Sequence, residues 1–206
     1  MKNRFISFEG IDGCGKTTQI NLISNILKEK KIQNLIIREP GGTDVSEKIR
    51  DILLDEDNNI SSITETLLFL SARSQMVQEF VIPQLKNDNI VLCDRYIDST
   101  VAYQGYGRGL NVELIDNINL FAIDEIVPQL TILFDIDPLI AFDRLNRKSL
   151  DRIELMGIEF LTKVREGYLK ILDLNPDRFK KINCNDLDIM SINKKVVSLI
   201  ELHLNK

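Results

Sequence analysis

Short apolar runs alternate with longer amphipathic ones along the chain. Five runs rich in Ile, Val, Leu and Phe read as strands: RFISFEG from Arg4, NLIIREP from Asn34, NIVLCD from Asn89, LTILFDI from Leu130 and RFKKINC from Arg178. Such compact hydrophobic runs suit parallel strands buried on both faces. Between them, apolar positions recur at three- and four-residue spacing. That spacing predicts helices over Lys16–Lys31, Asp44–Leu54, Thr64–Leu85, Val112–Asp124, Leu139–Leu145, Ile158–Leu172 and Ile189–His203. The alternation predicts an α/β fold, a five-stranded parallel sheet flanked by helices. Ligands in such sheets bind beyond the carboxyl ends of the strands. Gly10, Glu39, Asp94 and Asp135 stand at those ends.

At 206 residues, with no repeat or linker-like stretch, a single domain over 1–206 is expected. A net charge of −5 argues against a broad nucleic-acid surface, so any anion must be held by local arginines. No apolar run approaches the ~18 residues of a membrane span. The opening MKNRFISFEG is too short in its apolar part to read as a signal peptide. Cys14, Cys93 and Cys184 are far apart and in no metal pattern, which suits a reducing, cytoplasmic setting. The single histidine, His203, reads as a helix-surface residue.

Candidate chemistry begins at GIDGCGKT, Gly10 to Thr17, which fits G-x-x-x-x-G-K-[ST] between a strand and a helix. Glycines let the backbone wrap a phosphate, and successive N–H groups then face its oxygens. The expected ATP cradle is Gly10, Ile11, Asp12, Gly13, Cys14, Gly15, Lys16, Thr17 and Thr18. Lys16 should reach the β- and γ-phosphates, and Thr17 should place its hydroxyl on Mg²⁺. Cys14 reads as a small residue that fits the loop, or as a thiol activated by the helix N-terminus. Asp94 ends a hydrophobic strand. It can serve the Mg²⁺ shell, mostly through water, or simply cap the following helix. The Asn-Lys-x-Asp signature of a guanine switch is missing from NKKV at Asn193. Small size and acidic charge favour a phosphotransferase over a motor.

The acceptor could be a hydroxyl, which benefits from a general base, or a phosphate, which needs arginines. Arg95 directly follows Asp94 and can grip an acceptor phosphate near the donor. Arg73 lies four residues after Phe69, so a ring and a guanidinium share one helix face. Taken alone, that pair could equally be a core ring beside a solvated arginine. If the acceptor were a hydroxyl, Glu39 would stand where a base could act.

Four motifs in order, FEGIDGCGKTT, REPGGT, FLSARSQ and DRYIDSTVAYQGYGRG, followed by LDRIE at Leu150–Glu154, resemble those of bacterial thymidylate kinases. The likeness spans Phe8 to Glu154 and extends to about Ile171 through VREGYLKI. It implies a P-loop, nucleoside monophosphate kinase-like fold with a short basic lid at about 143–154. It also implies transfer of phosphoryl from ATP·Mg²⁺ to dTMP, giving dTDP without a general base. A deoxynucleoside kinase using Glu39, or a nucleotide-binding module without chemistry, are the alternatives.

By that resemblance Phe69 stacks on thymine, Arg73 bonds the base edge and Arg95 binds the acceptor phosphate. Tyr103 and Gln104 lie against base and sugar, with Tyr103 filling the space of a ribose 2′-hydroxyl. Asp12 lies near the sugar 3′-hydroxyl and the metal region. Glu39, Pro40, Ser99 and Thr100 complete the acceptor contacts, and the glycines of DRYIDSTVAYQGYGRG imply a loop that folds close. With Gly13 in the P-loop, the lid DRLNRKSLDRIE is expected to supply the catalytic cation, from Arg147 or Arg152. Lys148 reads as solvated, and Arg144 as lying over adenine or the donor phosphates. The adenine is expected near Asn183–Asp186. A homodimer packed through helices beside the sheet is also implied, with no further partner beyond small nucleotides.

Overall fold

A computed structural model describes residues 4–145 and 150–205. Five parallel strands run in the order β2-β3-β1-β4-β5: β1 Phe5–Glu9, β2 Asn34–Arg38, β3 Ile90–Asp94, β4 Leu130–Asp135 and β5 Phe179–Asn183. Every residue of β1, β3 and β4 is buried, whereas the edge strands β2 and β5 carry partly exposed positions. This is the burial expected of a parallel sheet covered on both faces. Register is continuous across the sheet, with Phe8 opposite Asp94 and Arg38 opposite that same aspartate. The carboxyl ends of β1, β2 and β3 therefore meet at one rim.

The helices are α1 Lys16–Glu29, α2 Asp44–Leu54, α3 Ser62–Met76, α4 Ile82–Lys86, α5 Ile97–Thr100, α6 Val112–Ala122, α7 Pro138–Leu145, α8 Gly157–Leu174 and α9 Ile189–Leu204. Side-chain caps set several starts: Thr43 accepts from Ser46 N–H, Ser61 from Thr64 N–H, and Asp188 from Met190 and Ser191 N–H groups. The helix expected over 64–85 is continuous in path but widens into a π segment at Val77–Val81 before α4. Pro83 explains the change, because it cannot donate to the ladder and crowds the carbonyl one turn back.

One expectation fails here. The segment after β3 is not a loop: α5 continues into a π-helix over Val101–Gly107. Its glycines serve packing. A Cβ on Gly107 would sit 2.8 Å from a ring carbon of Phe160, and one on Gly167 of α8 would sit 2.8 Å from Tyr106. Each glycine thus receives an aromatic ring from the facing helix. The close approach fixes the 97–107 helix against α8.

Candidate active site

The rim of the sheet opens into a cavity of about 450 Å³, which is the size of a small-molecule site. Its floor is the P-loop. Gly15 caps α1 with φ 94°, a left-handed conformation that glycine adopts without steric cost. Lys16 is buried and folds back over the loop, donating to the Gly10 carbonyl at 3.0 Å and the Ile11 carbonyl at 3.4 Å. Thr17 Oγ1 donates to Asp94 Oδ2 at 2.8 Å, so hydroxyl and carboxylate stand side by side as hard oxygen donors. Gly13, at φ 81°, lies under α7, where a Cβ would come within 2.6 Å of the Ala141 carbonyl. A larger residue there would require α7 to move.

Arg95 stands at the centre. Its backbone is left-handed, φ 71°, which costs a non-glycine residue on the order of 1 kcal/mol. Two contacts hold the turn: Arg95 N–H donates to Phe8 O at 3.1 Å, and Tyr96 N–H to Glu9 Oε1 at 2.7 Å. The guanidinium donates to Asp12, to Tyr103 Oη at 2.9 Å, and to Ser99 Oγ and Tyr168 Oη at 3.2 Å each. It also lies over the Tyr103 ring, 4.8 Å from the centroid. Tyr103 Oη in turn donates to Asp12 Oδ2 at 2.7 Å. Burial alone would raise the Asp12 pKa, but Arg95, then Lys16, outweigh it and hold the carboxyl at about 2.

Behind Arg95 lies a carboxylate that the sequence did not flag. Glu9 is fully buried and accepts from Ser99 Oγ at 2.6 Å and Tyr168 Oη at 2.9 Å as well as from Tyr96 N–H. Desolvation, with Asp98 adding to it, pushes its pKa up to about 7. Glu9 thus fixes both the strained turn and, through Ser99 and Tyr168, the Arg95 head group. Neither Glu9 in FEG nor Tyr168 in VREGYLKI stood out, because each reads as part of a hydrophobic element.

The third wall comes from REPGGT. Glu39 is buried, and its carboxylate takes Arg73 Nε at 2.8 Å and Nη2 at 2.6 Å. Desolvation raises its pKa, and the Arg73 charge opposes the rise. The Glu39–Pro40 peptide is cis, and Gly42 N–H donates to Glu47 Oε1 at 2.7 Å in the turn that leads to α2.

The cavity brings together Asp12, Gly13, Gly15, Lys16, Thr17, Thr18, Glu39, Pro40, Phe69, Asp94, Arg95, Ser99, Thr100, Tyr103, Gln104 and Arg144. Gly10, Ile11 and Cys14 form the underside of the loop instead; Ile11 and Cys14 are buried in the core, with the Cys14 thiol turned away from solvent. Two assignments are corrected. Arg73 is 1% exposed and spends its donors on Glu39, Thr100 Oγ1, Asn119 Oδ1 and the Tyr96 carbonyl. It positions Glu39 and Thr100, and has no donor left to read a base edge. Arg152 points away from the P-loop: it donates to Glu65 Oε2 at 2.6 Å and Leu53 O at 2.8 Å, and its N–H to Leu54 O. It ties the chain at Arg152 to α2 and α3.

Arg147 and Lys148 lie outside the described residues. Among the described residues of the expected lid, 143–145 and 150–154, Arg144 reaches the P-loop, donating to Gly13 O at 3.1 Å. The segment 183–186 does not line the cavity; Asn185 Oδ1 accepts from Asp137 N–H at the start of α7. His203 sits half-buried on α9 and does not line the cavity.

The cavity also contains residues not anticipated: Arg38, Arg50, Leu54, Leu145, Asp151, Ile153 and Glu154. Arg50 donates to Pro40 O at 2.9 Å, and desolvation, with Arg38 nearby, lowers its pKa. In sequence, Arg50 carries no mark of a site residue. Only the fold brings it into the cavity that Arg38 and Arg95 also line.

A family profile described as thymidylate kinase matches residues 8–196. A thymidylate kinase of Thermoanaerobacter sp. (strain X514) is 45% identical over 204 residues, covering 99% of this chain and 100% of that protein. One of Thermosipho africanus is 47% identical over 200 residues, 97% of this chain and 98% of the relative. Among solved structures, thymidylate kinase of Ehrlichia chaffeensis superposes with a TM-score of 0.80 at 35% identity, over 98% of this chain and all of that one.

Proposed function

We propose, since the chain belongs to the thymidylate kinase family, that it transfers the γ-phosphoryl group of ATP to dTMP, giving ADP and dTDP for dTTP synthesis. The carrying observation is Arg95, held by Asp12, Tyr103, Ser99 and Tyr168 between the P-loop and the half of the cavity that holds Phe69 and Gln104. A monoester phosphate with a second pKa near ~6 is already a nucleophile at neutral pH. It needs cations to hold it near the donor, and Arg95, with Arg38 and Arg50 in the same cavity, supplies them. One acceptor oxygen then attacks the γ-phosphorus in line while ADP leaves.

Lys16 and the N–H groups of the P-loop bind the donor's β- and γ-phosphates. Phe69 stacks on the thymine, and Tyr103 occupies the room that a 2′-hydroxyl would need. Arg144, from the segment at about 143–154, is the lid cation that we assign to the transferring group, with Arg147 as a second candidate. Closure of that lid excludes water and protects ATP from hydrolysis. Thr17 and Asp94 fit Mg²⁺, a hard cation that keeps several waters and takes phosphate oxygens. When bound there, the ion neutralises charge that develops between the β- and γ-phosphates.

A hydroxyl-phosphorylating kinase with Glu39 as base is not favoured. Its carboxylate is committed to Arg73 through both oxygens, so proton uptake would break a buried pair.

The whole chain works as one domain on this reading. Its free, buried cysteines suit the cytoplasm. No helix among the described residues is long and apolar enough to cross a membrane. We place a second copy of the chain against α2, α3 and α6, which pack side by side and expose Ile52, Ile63, Leu67, Leu114 and Phe121, the last at 90%. A row of that kind on one layer is the mark of a covered face, and sedimentation at the mass of a single chain would remove the dimer.

The test is ADP release with ATP and Mg²⁺ against dTMP, dUMP, UMP, thymidine and no acceptor. Turnover with dTMP, with dUMP trailing, is expected. Turnover with thymidine but not dTMP would move the chemistry to Glu39.

A further inference from the structure

One side chain in the acceptor half of the cavity is oriented from behind. Gln104 is 2% exposed and lines the cavity, and its amide nitrogen donates to Glu65 Oε1 at 2.9 Å. Glu65, on α3, is buried. It also accepts from Arg108 Nε at 3.1 Å and Nη2 at 2.8 Å, and from Arg152 Nη2 at 2.6 Å. Burial works against its charge, but the hydrogen bonds from Arg108, Gln104 and Arg152 outweigh it and hold its pKa below the usual value. An ionised carboxylate only accepts. The amide of Gln104 must therefore turn its nitrogen to Glu65, and its oxygen accepts no hydrogen bond from any described residue. That oxygen is not sealed from solvent either.

We propose that Glu65 is a positioning residue for base selection: by fixing the Gln104 amide it presents an acceptor to the base edge, and so selects a pyrimidine with an N3–H over cytosine. This rests on the reading above, in which the base lies between Phe69 and Gln104. Thymine and uracil carry an N3–H donor between two carbonyls. Cytosine has a bare N3 lone pair beside an amino group. Against a fixed acceptor, that lone pair meets another lone pair. A free amide would simply turn and donate to cytosine N3. Here turning would set the Gln104 oxygen against the Glu65 carboxylate, two acceptors with no proton between them, while the amide NH₂ lost its partner. The selectivity comes from a repulsive alternative built one layer behind the contact.

Thr100, one turn earlier on the same helix, fits this pattern. Its Oγ1 accepts from Arg73 Nη1 at 2.8 Å, which leaves its own hydrogen free to donate. Thr100 and Gln104 then offer a donor and an acceptor in sequence, the complement of a carbonyl followed by N–H. Arg73 and Glu65 lie in equivalent places, each a buried charge that sets the hydrogen-bonding sense of the residue in front of it.

The experiment compares kcat/KM for dTMP and dCMP in the wild-type chain, Glu65→Gln and Glu65→Asp. A glutamine at 65 can donate or accept, so Gln104 is released. The dTMP:dCMP ratio is then expected to fall by tenfold or more, with the change carried in KM, because a site built around a hydrogen bond rejects its mismatch by up to ~10⁴-fold. Glu65→Asp keeps an acceptor-only group, and the expected ratio stays within about threefold of wild type. An unchanged ratio in folded Glu65→Gln overturns the proposal and leaves the kinase reading intact. A wild-type chain that turns over neither dTMP nor dCMP would instead sink the kinase reading. The wild-type chain gives a second measurement that does not depend on any variant folding. The 3-deaza analogue of dTMP, with C–H in place of N3–H, is expected to bind at least tenfold more weakly than dTMP, and equal binding overturns the proposal.

Discussion

Replacing Arg95 by alanine separates the chemical role of the guanidinium from its structural one. Charge-assisted hydrogen bonds contribute about 1.5–3 kcal/mol each. An acceptor phosphate held by Arg95 must compete with Asp12, Tyr103, Ser99 and Tyr168, which already occupy both terminal nitrogens. The gain on substrate binding is therefore an exchange of partners, and one full charge-assisted bond is the safe floor. With each tenfold in rate equal to about 1.4 kcal/mol, kcat/KM for dTMP is expected to fall roughly ten- to a hundredfold.

The structural cost is independent of that. Without Arg95, Asp12 loses the strongest of the charges that hold its pKa at about 2 rather than 3.8. Burial, then opposed only by Lys16 and Tyr103, disfavours the charged carboxyl, so the melting temperature at neutral pH should fall. The assays are coupled ADP release and thermal unfolding at pH 7.5, with ATP affinity as a control, since Lys16 binds the donor without Arg95 and the affinity should hold within about threefold. A folded variant with kcat/KM within tenfold of wild type would refute the assignment of Arg95 to the acceptor phosphate.

Tyr103→Ala should relax discrimination between dUMP and UMP by tenfold or more in kcat/KM; an unchanged ratio would dispose of the steric argument. Asp94→Asn should raise the half-saturating Mg²⁺ concentration roughly tenfold or more, and an identical Mg²⁺ curve would return Asp94 to a purely structural role at the strand end. Glu9 has a folded pKa of about 7 against an ordinary 4.5. As pH rises through that window the unfolded chain ionises first, so the folded state loses stability between pH 4.5 and about 7. Glu9→Gln removes this contribution, and its melting temperature should fall less than that of wild type between pH 5 and 8. Parallel pH profiles for the two proteins would show that Glu9 is not the group titrating there.

The sequence by itself determined the five strands, the phosphate loop and the kinase family. These are local signals. Apolar runs, a glycine-and-lysine loop between strand and helix, and ordered motifs all depend on residues close together in the chain. It also pointed to most of the residues that line the cavity, because strand ends in a parallel sheet must share one rim. It failed where meaning depends on a partner distant in the chain. The glycines of DRYIDSTVAYQGYGRG read as a close-folding loop until Gly107 was found in a helix, with the Phe160 ring of α8 packed onto it. Arg73 read as a ligand contact until Glu39, 34 residues away, took its donors. Arg152 read as catalytic until Glu65, 87 residues away, held it aside, and Arg50 and Glu9 gave no sign at all. A charged side chain carries no mark of whether it faces solvent, substrate or another charge. Desolvation and Coulomb energy decide that, and both are fixed only when the tertiary structure sets what surrounds each group.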